Sequence, residues 1–429
     1  MTGSDIMETE FSKGLFLRVA MLAAAGAKGQ KIPFEDIDGH ERFAIARLAM
    51  RQGVLPIVGC ALLMEDEEVK QNTVCASIID HTRAIAAQNQ VKQQRIMWLI
   101  RELEHAGINV QLIKGYAVAE CYNKPECRQS EDTDLLIRPE QERLAYEVLR
   151  KLGFRVDRRT ATSHHAICQN PKYGMVELHV QLYDKLICDG WFHGISEELL
   201  NEPAIRIKNV HGEYTTLNYS DHAIFLTIHM VKHFIGVGIN LRMMLDVALY
   251  ISTHRTQINF DRFWCIMQQL HFDCVVNCVL TVMVRTGCFD WSEFPGGKVS
   301  SDDELAVFFD ALIATASDSW DSRKDSAYYE YSKAVMHQSM GHPKYCAYMI
   351  KWIFLNTKSQ IWPAKEQLYA LYGIEKPRPC LIPWLRLRRI VDLPMQKIWA
   401  GITPKRLLAK QQESEGGSRL HLFKKLKMI

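Results

Sequence analysis

The chain has 429 residues, 48% apolar and 24% charged, with a formal net charge of +3, which fits a globular protein of two or three domains with a sizeable core. No apolar run reaches the roughly 18–20 residues of a membrane-spanning helix; the longest mostly apolar one, 274–284, is interrupted by Asn277. Residues 1–10 are acidic and lack the hydrophobic segment of a signal peptide, and the twelve cysteines are scattered without a CxxC pair, a usage expected of reduced, buried thiols in a cytoplasmic protein rather than disulfides or a zinc knuckle.

Residues 11–105 read as helical. Apolar stripes run over 43–48 and 62–64, and Val91, Ile96, Leu99, Ile100 and Leu103 recur at helical spacing. Gly53 and Pro56 punctuate this region. From Val110 the period shortens: 110–114 is strand-like and ends at Gly115, and 116–122 is expected to be a helix. The next strand is 132–137. Pro139 suits the first turn of a helix whose apolar face is Leu144, Val148, Leu149 and Leu152, and Gly153 stops it. Segments 154–157, 165–168 and 175–180 are three further strands. The order β-α-β-α-β-β-β predicts an α+β protein with a small mixed sheet and helices on one side. After Ser220 the pattern returns to helix over 221–234, 241–252, 260–270, 274–286 and 302–314, with a loop at Pro295-Gly296-Gly297 and a breaker region at Pro377, Pro379 and Pro383. The expected organisation is a helical N-terminal region (1–105), a sheet-containing core (106–220), a helical C-terminal domain (221–375) and a basic, partly flexible tail (376–429).

The tail carries a charge asymmetry. From Arg386 to Ile429 there are eleven Lys/Arg against three Asp/Glu, so this segment is +8 and the remainder −5. Arg419, Lys424, Lys425 and Lys427 surround Leu420, Leu422, Phe423 and Leu426. Such a mix predicts either peripheral contact with an anionic membrane surface, on the inner face, or a solvated end packed on the body. No basic patch interleaved with aromatics occurs in the core, so a nucleic-acid partner has no support.

Chemistry concentrates in the second strand, Asp132-Thr133-Asp134-Leu135-Leu136-Ile137. A strand has period two, so Asp132 and Asp134 share a face. Two like charges side by side are costly unless a cation separates them, and a hard divalent ion prefers oxygen ligands. The run Met175-Val176-Glu177-Leu178-His179-Val180 brings a third carboxylate. Three acidic groups on neighbouring strands suit metal-assisted phosphoryl or nucleotidyl transfer.

The ordered set Leu112-Ile113-Lys114-Gly115, Arg128, Asp132-Thr133-Asp134 and Glu177-Leu178-His179, followed by His229, Lys232 and His233, resembles the bacterial nucleotidyltransferase-like proteins of the DNA polymerase β superfamily. More closely, it resembles a poorly characterised branch with Lys-Gly where classical members carry Gly-Ser. The resemblance covers roughly residues 11–275 and includes 48–63 and the pair Arg242 and Asp246; 300–429 has no counterpart in it. It implies a polymerase β-like core, an NTP substrate, an acceptor that is a small molecule, glycan or protein, and Mg²⁺ (or Mn²⁺) held by Asp132 and Asp134, with Glu177 either completing the metal site or drawing the acceptor proton. Lys114, Gly115, Arg128 and His179 would meet the nucleotide. Lys114 would act as a point charge, Gly115 would permit close backbone approach ahead of a helix N-terminus, and Arg128 would be a planar clamp.

His165, His229, Lys232 and His233 are expected to line the cleft. Only one of the adjacent His164 and His165 can face it, because strand residues alternate. Arg242 and Asp246, one helical turn apart, read as a structural ion pair. The alternatives are a catalytically degenerate nucleotide-binding protein, a protein- or tRNA-modifying toxin-like effector, and a zinc hydrolase built on the histidines. His229 and His233 match a zinc pair in spacing but lack the glutamate of a metalloprotease motif.

Overall fold

The computed structural model of the chain describes residues 13–32, 37–157, 164–183, 195–236, 238–315, 381–388 and 424–428. Five helices come first: α1 (Lys13–Lys28), α2 (Gly39–Arg51), α3 (Leu55–Leu62), α4 (Glu67–Gln71) and α5 (Thr73–His105). The side chain of Asn72 accepts from the N–H groups of Val74 and Cys75 and so starts α5. At 33 residues, α5 is about 50 Å long. Helix α3 crosses it closely at Gly59, where a Cβ would lie 1.9 Å from Thr82 Oγ1.

The sheet comprises β1 (Val110–Leu112), β2 (Asp132–Ile137), β3 (Arg155–Asp157), β4 (His165–Asn170), β5 (Gly174–His179), β6 (Ile205–Asn209) and β7 (Gly212–Thr216), in the spatial order β3-β4-β5-β2-β1-β7-β6. Strands β2 and β5 pair in parallel, as do β1 and β7; the other neighbours are antiparallel. Short helices α6 (Tyr116–Ala119), α7 (Glu142–Lys151) and α8 (Ile195–Asn201) lie between strands. Helices α9 (Tyr219–Gly236), α10 (Leu241–Thr253), α11 (Phe260–Gln269), α12 (Asp273–Arg285) and α13 (Asp302–Thr315) follow.

Alternation along β2 separates two cores. Leu135 and Ile137 join a cluster with Leu99, Ile100 and Leu103 of α5 and Ala145 and Leu149 of α7. Leu136 and Ile113 join a larger cluster that contains Phe16 of α1, Val58 of α3, Phe234 of α9, Leu245 of α10 and Phe308 of α13. The N-terminal and C-terminal helices therefore share one apolar core, and both faces of the sheet are covered. The expectation of helices on one side alone is corrected: the aspartate-bearing face of β2 turns toward the helices that follow residue 220.

The sequence reading also omits β6 and β7. They are short, with polar residues on alternate positions, and pairing to β1 holds the second of them in the sheet. The Ile205/Ile207 alternation and the Asn209-to-Gly212 turn were the available signal.

In the tail, Leu426 and Met428 are fully buried in the larger core and Lys427 Nζ lies 3.1 Å from Glu304 Oε1. These residues are occupied by the body of the protein, so the membrane reading loses Leu426 and Lys427; Arg419, Leu420, Leu422 and Phe423 lie outside the described residues. Pro383 sits near the start of a helical stretch at 382–388 rather than in a break, a position proline tolerates. Pro377 and Pro379 lie outside the described residues. No helix among the described residues is long and apolar enough to cross a membrane.

Candidate active site

The parallel pairing of β2 with β5 sets Asp134 beside Glu177 and Asp132 beside Met175. Period-two geometry then places Asp132, Asp134 and Glu177 on one face. They line a cavity of about 240 Å³ together with Lys114, Gly115 and Ser130 from the sheet side, and His229, His233, Arg242 and Asp246 from α9 and α10.

Asp134 is 2% exposed and is the electrostatic centre of the site. Lys114 Nζ lies 2.6 Å from its Oδ1, and His179 Nε2 lies 3.0 Å from the same oxygen. Burial pushes the Asp134 carboxyl up, but the Lys114 ammonium and the His179 bond outweigh it and hold it well below the carboxylate range. Burial likewise pulls Lys114 down, and Asp134 more than restores it, leaving the ammonium firmly charged. Glu177 is lowered too: burial opposes ionisation, and the bond to His179, 3.4 Å away, favours it. Asp132 behaves oppositely. Burial first, and then the charge of Asp134, raise its carboxyl above the usual value. One carboxylate is thus neutralised from within the chain, and a second is left under-compensated beside it.

Asp134, Glu177 and His179 offer ligand atoms within 4.8 Å of one another, and Asp132 opens onto the same cavity. A cation, the Lys114 ammonium, is already drawn to Asp134. This donor set, two to three carboxylates and an imidazole, fits a divalent metal ion.

Gly115 adopts φ 59°, and a Cβ there would approach Ser130 Oγ at 3.3 Å, so the turn after β1 excludes side chains. Helix α6 behind it is four residues long, and two of its N–H groups bond to the carbonyls of Lys114 and Gly115. The expected anion site at that helix N-terminus is therefore corrected: a single turn has too few aligned dipoles.

The loop from Glu120 to Glu131 is pinned from α5. Asn89 Nδ2 donates to the carbonyls of Glu126 and Arg128, and Lys92 Nζ to those of Ser130 and Asp132. Arg128 sets its fork on Asp246, with Nε–Oδ1 2.7 Å and Nη2–Oδ2 2.6 Å, and Tyr122 donates to the same carboxylate at 2.6 Å. Burial alone would weaken the Arg128 charge, but Asp246 reverses that and raises its pKa. The expected Arg242–Asp246 pair gives way to this one: Asp246 takes Arg128, and Arg242 donates from Nη1 to the Gln129 carbonyl at 2.8 Å. Arg242 Nε is buried without a hydrogen-bond partner among the described residues. Burial, and then the neighbouring Arg128, push its pKa down. Arg242 is a cavity-lining cation short of negative charge, and sequence spacing misassigned it because its competitor for Asp246 lies 118 residues away.

His229 and His233 line the cavity as expected, with ring centroids 4.6 Å apart. Burial, then Lys114, hold His229 well below the usual imidazole value. Lys232, on the same helix, does not line the cavity, nor do His165 and His179. His179 is 1% exposed and supports the two carboxylates from behind. His165 lies 3.8 Å from Glu177. His164 and His165 both turn toward His179, with ring centroids 5.1 Å from it. Neither lines the cavity, and both can approach His179 because His164 precedes β4 and is free of strand alternation.

One supporting residue carried no motif. His222 on α9 is fully buried and its Nε2 donates to the Ile113 carbonyl at 2.8 Å, directly before the Lys114-Gly115 turn. Burial pulls its pKa down to about 4. The unfolded chain therefore binds more protons than the native one between the ordinary imidazole value and that figure, and stability falls as pH drops through this window. By pH 5 the loss should approach about 2 kcal/mol from this group. His222→Gln, which keeps a donor for Ile113, should flatten the difference between urea unfolding at neutral pH and at pH 5 by about that amount. An unchanged pH dependence would remove His222 as the source.

A mixed sheet with paired carboxylates on adjacent central strands, facing a cation-lined cavity under a helical cover, defines a nucleotidyltransferase-type core. Residues 41–286 match the family described as uncharacterised nucleotidyltransferases, and the chain belongs to that family of transferases. No curated protein and no solved structure matches the chain.

Proposed function

We propose that this protein moves a nucleoside monophosphate from an NTP, with Mg²⁺ or Mn²⁺, to a hydroxyl or phosphate acceptor. The observation that carries the reading is the division of one cavity: Asp132, Asp134 and Glu177 on the sheet wall, and Arg242, without a carboxylate partner at ion-pair distance among the described residues, on the helical wall. A divalent cation held by the three carboxylates would neutralise charge on the triphosphate and the attacking oxygen.

The chain's own groups supply the rest. Arg242, a cation on the cavity wall, would meet phosphate oxygens, and Lys114 adds a point charge. Gly115 lets backbone approach the nucleotide. Glu177, held ionised, accepts the proton of the acceptor. The acceptor oxygen forms a bond to the α-phosphorus as the bond to the β-phosphate oxygen breaks, and pyrophosphate leaves. His229, kept neutral, lines the cleft without adding charge. Arg128, committed to Asp246, fixes the loop that presents Asp132.

The test is incubation with each α-labelled NTP and Mg²⁺ against a cell extract, with identification of the labelled species. Label on a macromolecule or small molecule, with pyrophosphate released, supports the reading. Nucleotide binding without pyrophosphate release would make the protein a nucleotide binder instead. Arg242→Ala is expected to weaken NTP binding roughly tenfold to a hundredfold, the scale of a charge-assisted hydrogen bond of about 1.5–3 kcal/mol. Calorimetric titration with circular dichroism as a folding control measures this. Wild-type affinity in the folded variant would exclude Arg242 from the nucleotide site.

A further inference from the structure

Three histidines gather behind the carboxylates, and the transfer chemistry does not use them as a group. His164 Nε2 lies 3.3 Å from His165 Nδ1, and the rings of both have centroids 5.1 Å from that of His179. The three offer ligand atoms within 4.8 Å of one another. Register explains part of this: His165 and His179 are directly opposed across the antiparallel β4–β5 pair. The third arrives from the residue before β4. His164 is 7% exposed and His179 1%, so two of the three imidazoles are out of water. His179 Nε2 is turned to Asp134 and Glu177, while its Nδ1 is buried with no hydrogen-bond partner among the described residues. A buried ring nitrogen without a partner is costly. Coordination of a metal ion would satisfy it.

We propose that His164, His165 and His179 form a second metal site, for a divalent transition ion of the zinc class, next to the carboxylate centre. The donor chemistry sets the class. Imidazole nitrogens suit zinc and its neighbours, whereas Mg²⁺ demands oxygen ligands. Three protein nitrogens are the ligand count of a zinc site with a remaining position. His179 belongs to both groups of potential ligands, so an ion here would fix the ring that orients Asp134 and Glu177. The site would join the start of β4 to the end of β5. It stands without the nucleotide reading, because it requires neither NTP nor turnover.

The experiment uses the full chain without a polyhistidine tag, stripped with chelator and dialysed. It is titrated calorimetrically with Zn²⁺ in an excess of Mg²⁺, and separately with Co²⁺ followed by visible absorption. The expected result is one Zn²⁺ per chain that Mg²⁺ does not displace, and a Co²⁺ spectrum of a nitrogen-rich, low-coordinate site. His164→Ala and His165→Asn should each weaken Zn²⁺ binding at least about tenfold, since even the loss of groups that merely support ligands costs that much. His165 is partly exposed, so its variant should fold if His164→Ala does not. Absence of Zn²⁺ binding in Mg²⁺ overturns the proposal. So does Zn²⁺ binding of wild-type strength in folded His165→Asn, or a Co²⁺ spectrum indistinguishable from the hexa-aquo ion.

Discussion

Asp134→Asn is expected to abolish metal-dependent turnover and to destabilise the protein, while Asp132→Asn abolishes turnover at unchanged or increased stability. Both lose a ligand, and the fall in turnover should be at least roughly a thousandfold, in keeping with the several kcal/mol a metal contributes to such a transition state. Their stabilities diverge because their surroundings do. Asp134 neutralises the buried Lys114 at 2.6 Å and accepts from His179. Removing it leaves a cation without its partner, a loss of about 3 kcal/mol by analogy with other broken buried pairs. Asp132 has a raised pKa, from burial and then from Asp134, so its charge works against the native state and the amide relieves it.

The pH dependence separates them further. The contribution of Asp134, whose native pKa is depressed, is fully present above the ordinary aspartate value of about 3.9 and is lost as pH falls through its native value. The cost of Asp132 is present above its raised native value and disappears as pH falls, so Asp132→Asn should lose its stability advantage on acidification. Turnover with Mg²⁺ and urea unfolding over a pH series measure both. Near wild-type turnover in either variant would remove the aspartate pair from the chemistry, and equal stability of the two variants would remove the Lys114 argument.

Lys114→Ala is expected to move two binding constants in opposite directions. In the protein without nucleotide, the Lys114 ammonium sits on the Asp134 oxygen that a metal would use. Removing it ends that competition, so Mg²⁺ binding in the absence of NTP should tighten. NTP affinity should fall roughly tenfold to a hundredfold, because a charge-assisted contact to the phosphates worth about 1.5–3 kcal/mol is lost. Lys114→Arg should restore little of it, since the broader fork must fit beside the tight Gly115 turn. Calorimetric titration of each variant with Mg²⁺ alone and with NTP plus Mg²⁺ gives both numbers. A lysine that serves only to neutralise Asp134 would leave NTP affinity unchanged while Mg²⁺ affinity rises. A lysine that touches only phosphate would leave Mg²⁺ affinity unchanged.

The carboxylate face of the site and most of the helices follow from local residue spacing. Strand period two puts Asp132 and Asp134 on one side, and the apolar residues around them announce a buried central strand. The stripes at 91–105, 241–252 and 274–286 correspond to α5, α10 and α12, because helical periodicity is a local property. Glu177 was legible for the same reason, as a lone carboxylate in an apolar alternating run.

Pairing over distance was not legible. Arg128 and Asp246 are 118 residues apart, and nothing local distinguishes Asp246 as its partner from the nearer Arg242. Asp246 takes Arg128 rather than Arg242, and both arginines line the cavity. His222 bears no motif, yet it holds the carbonyl before the Lys114-Gly115 turn. His164 joins His165 beside His179 because it lies one residue before the strand begins. Strands β6 and β7 are held by partners rather than by their own propensity. Burial of Leu426 and Met428 was decided by a core built from helices hundreds of residues upstream. Charge neutralisation, hydrogen-bond partnership and burial depend on which groups converge in space, and local periodicity carries no record of that.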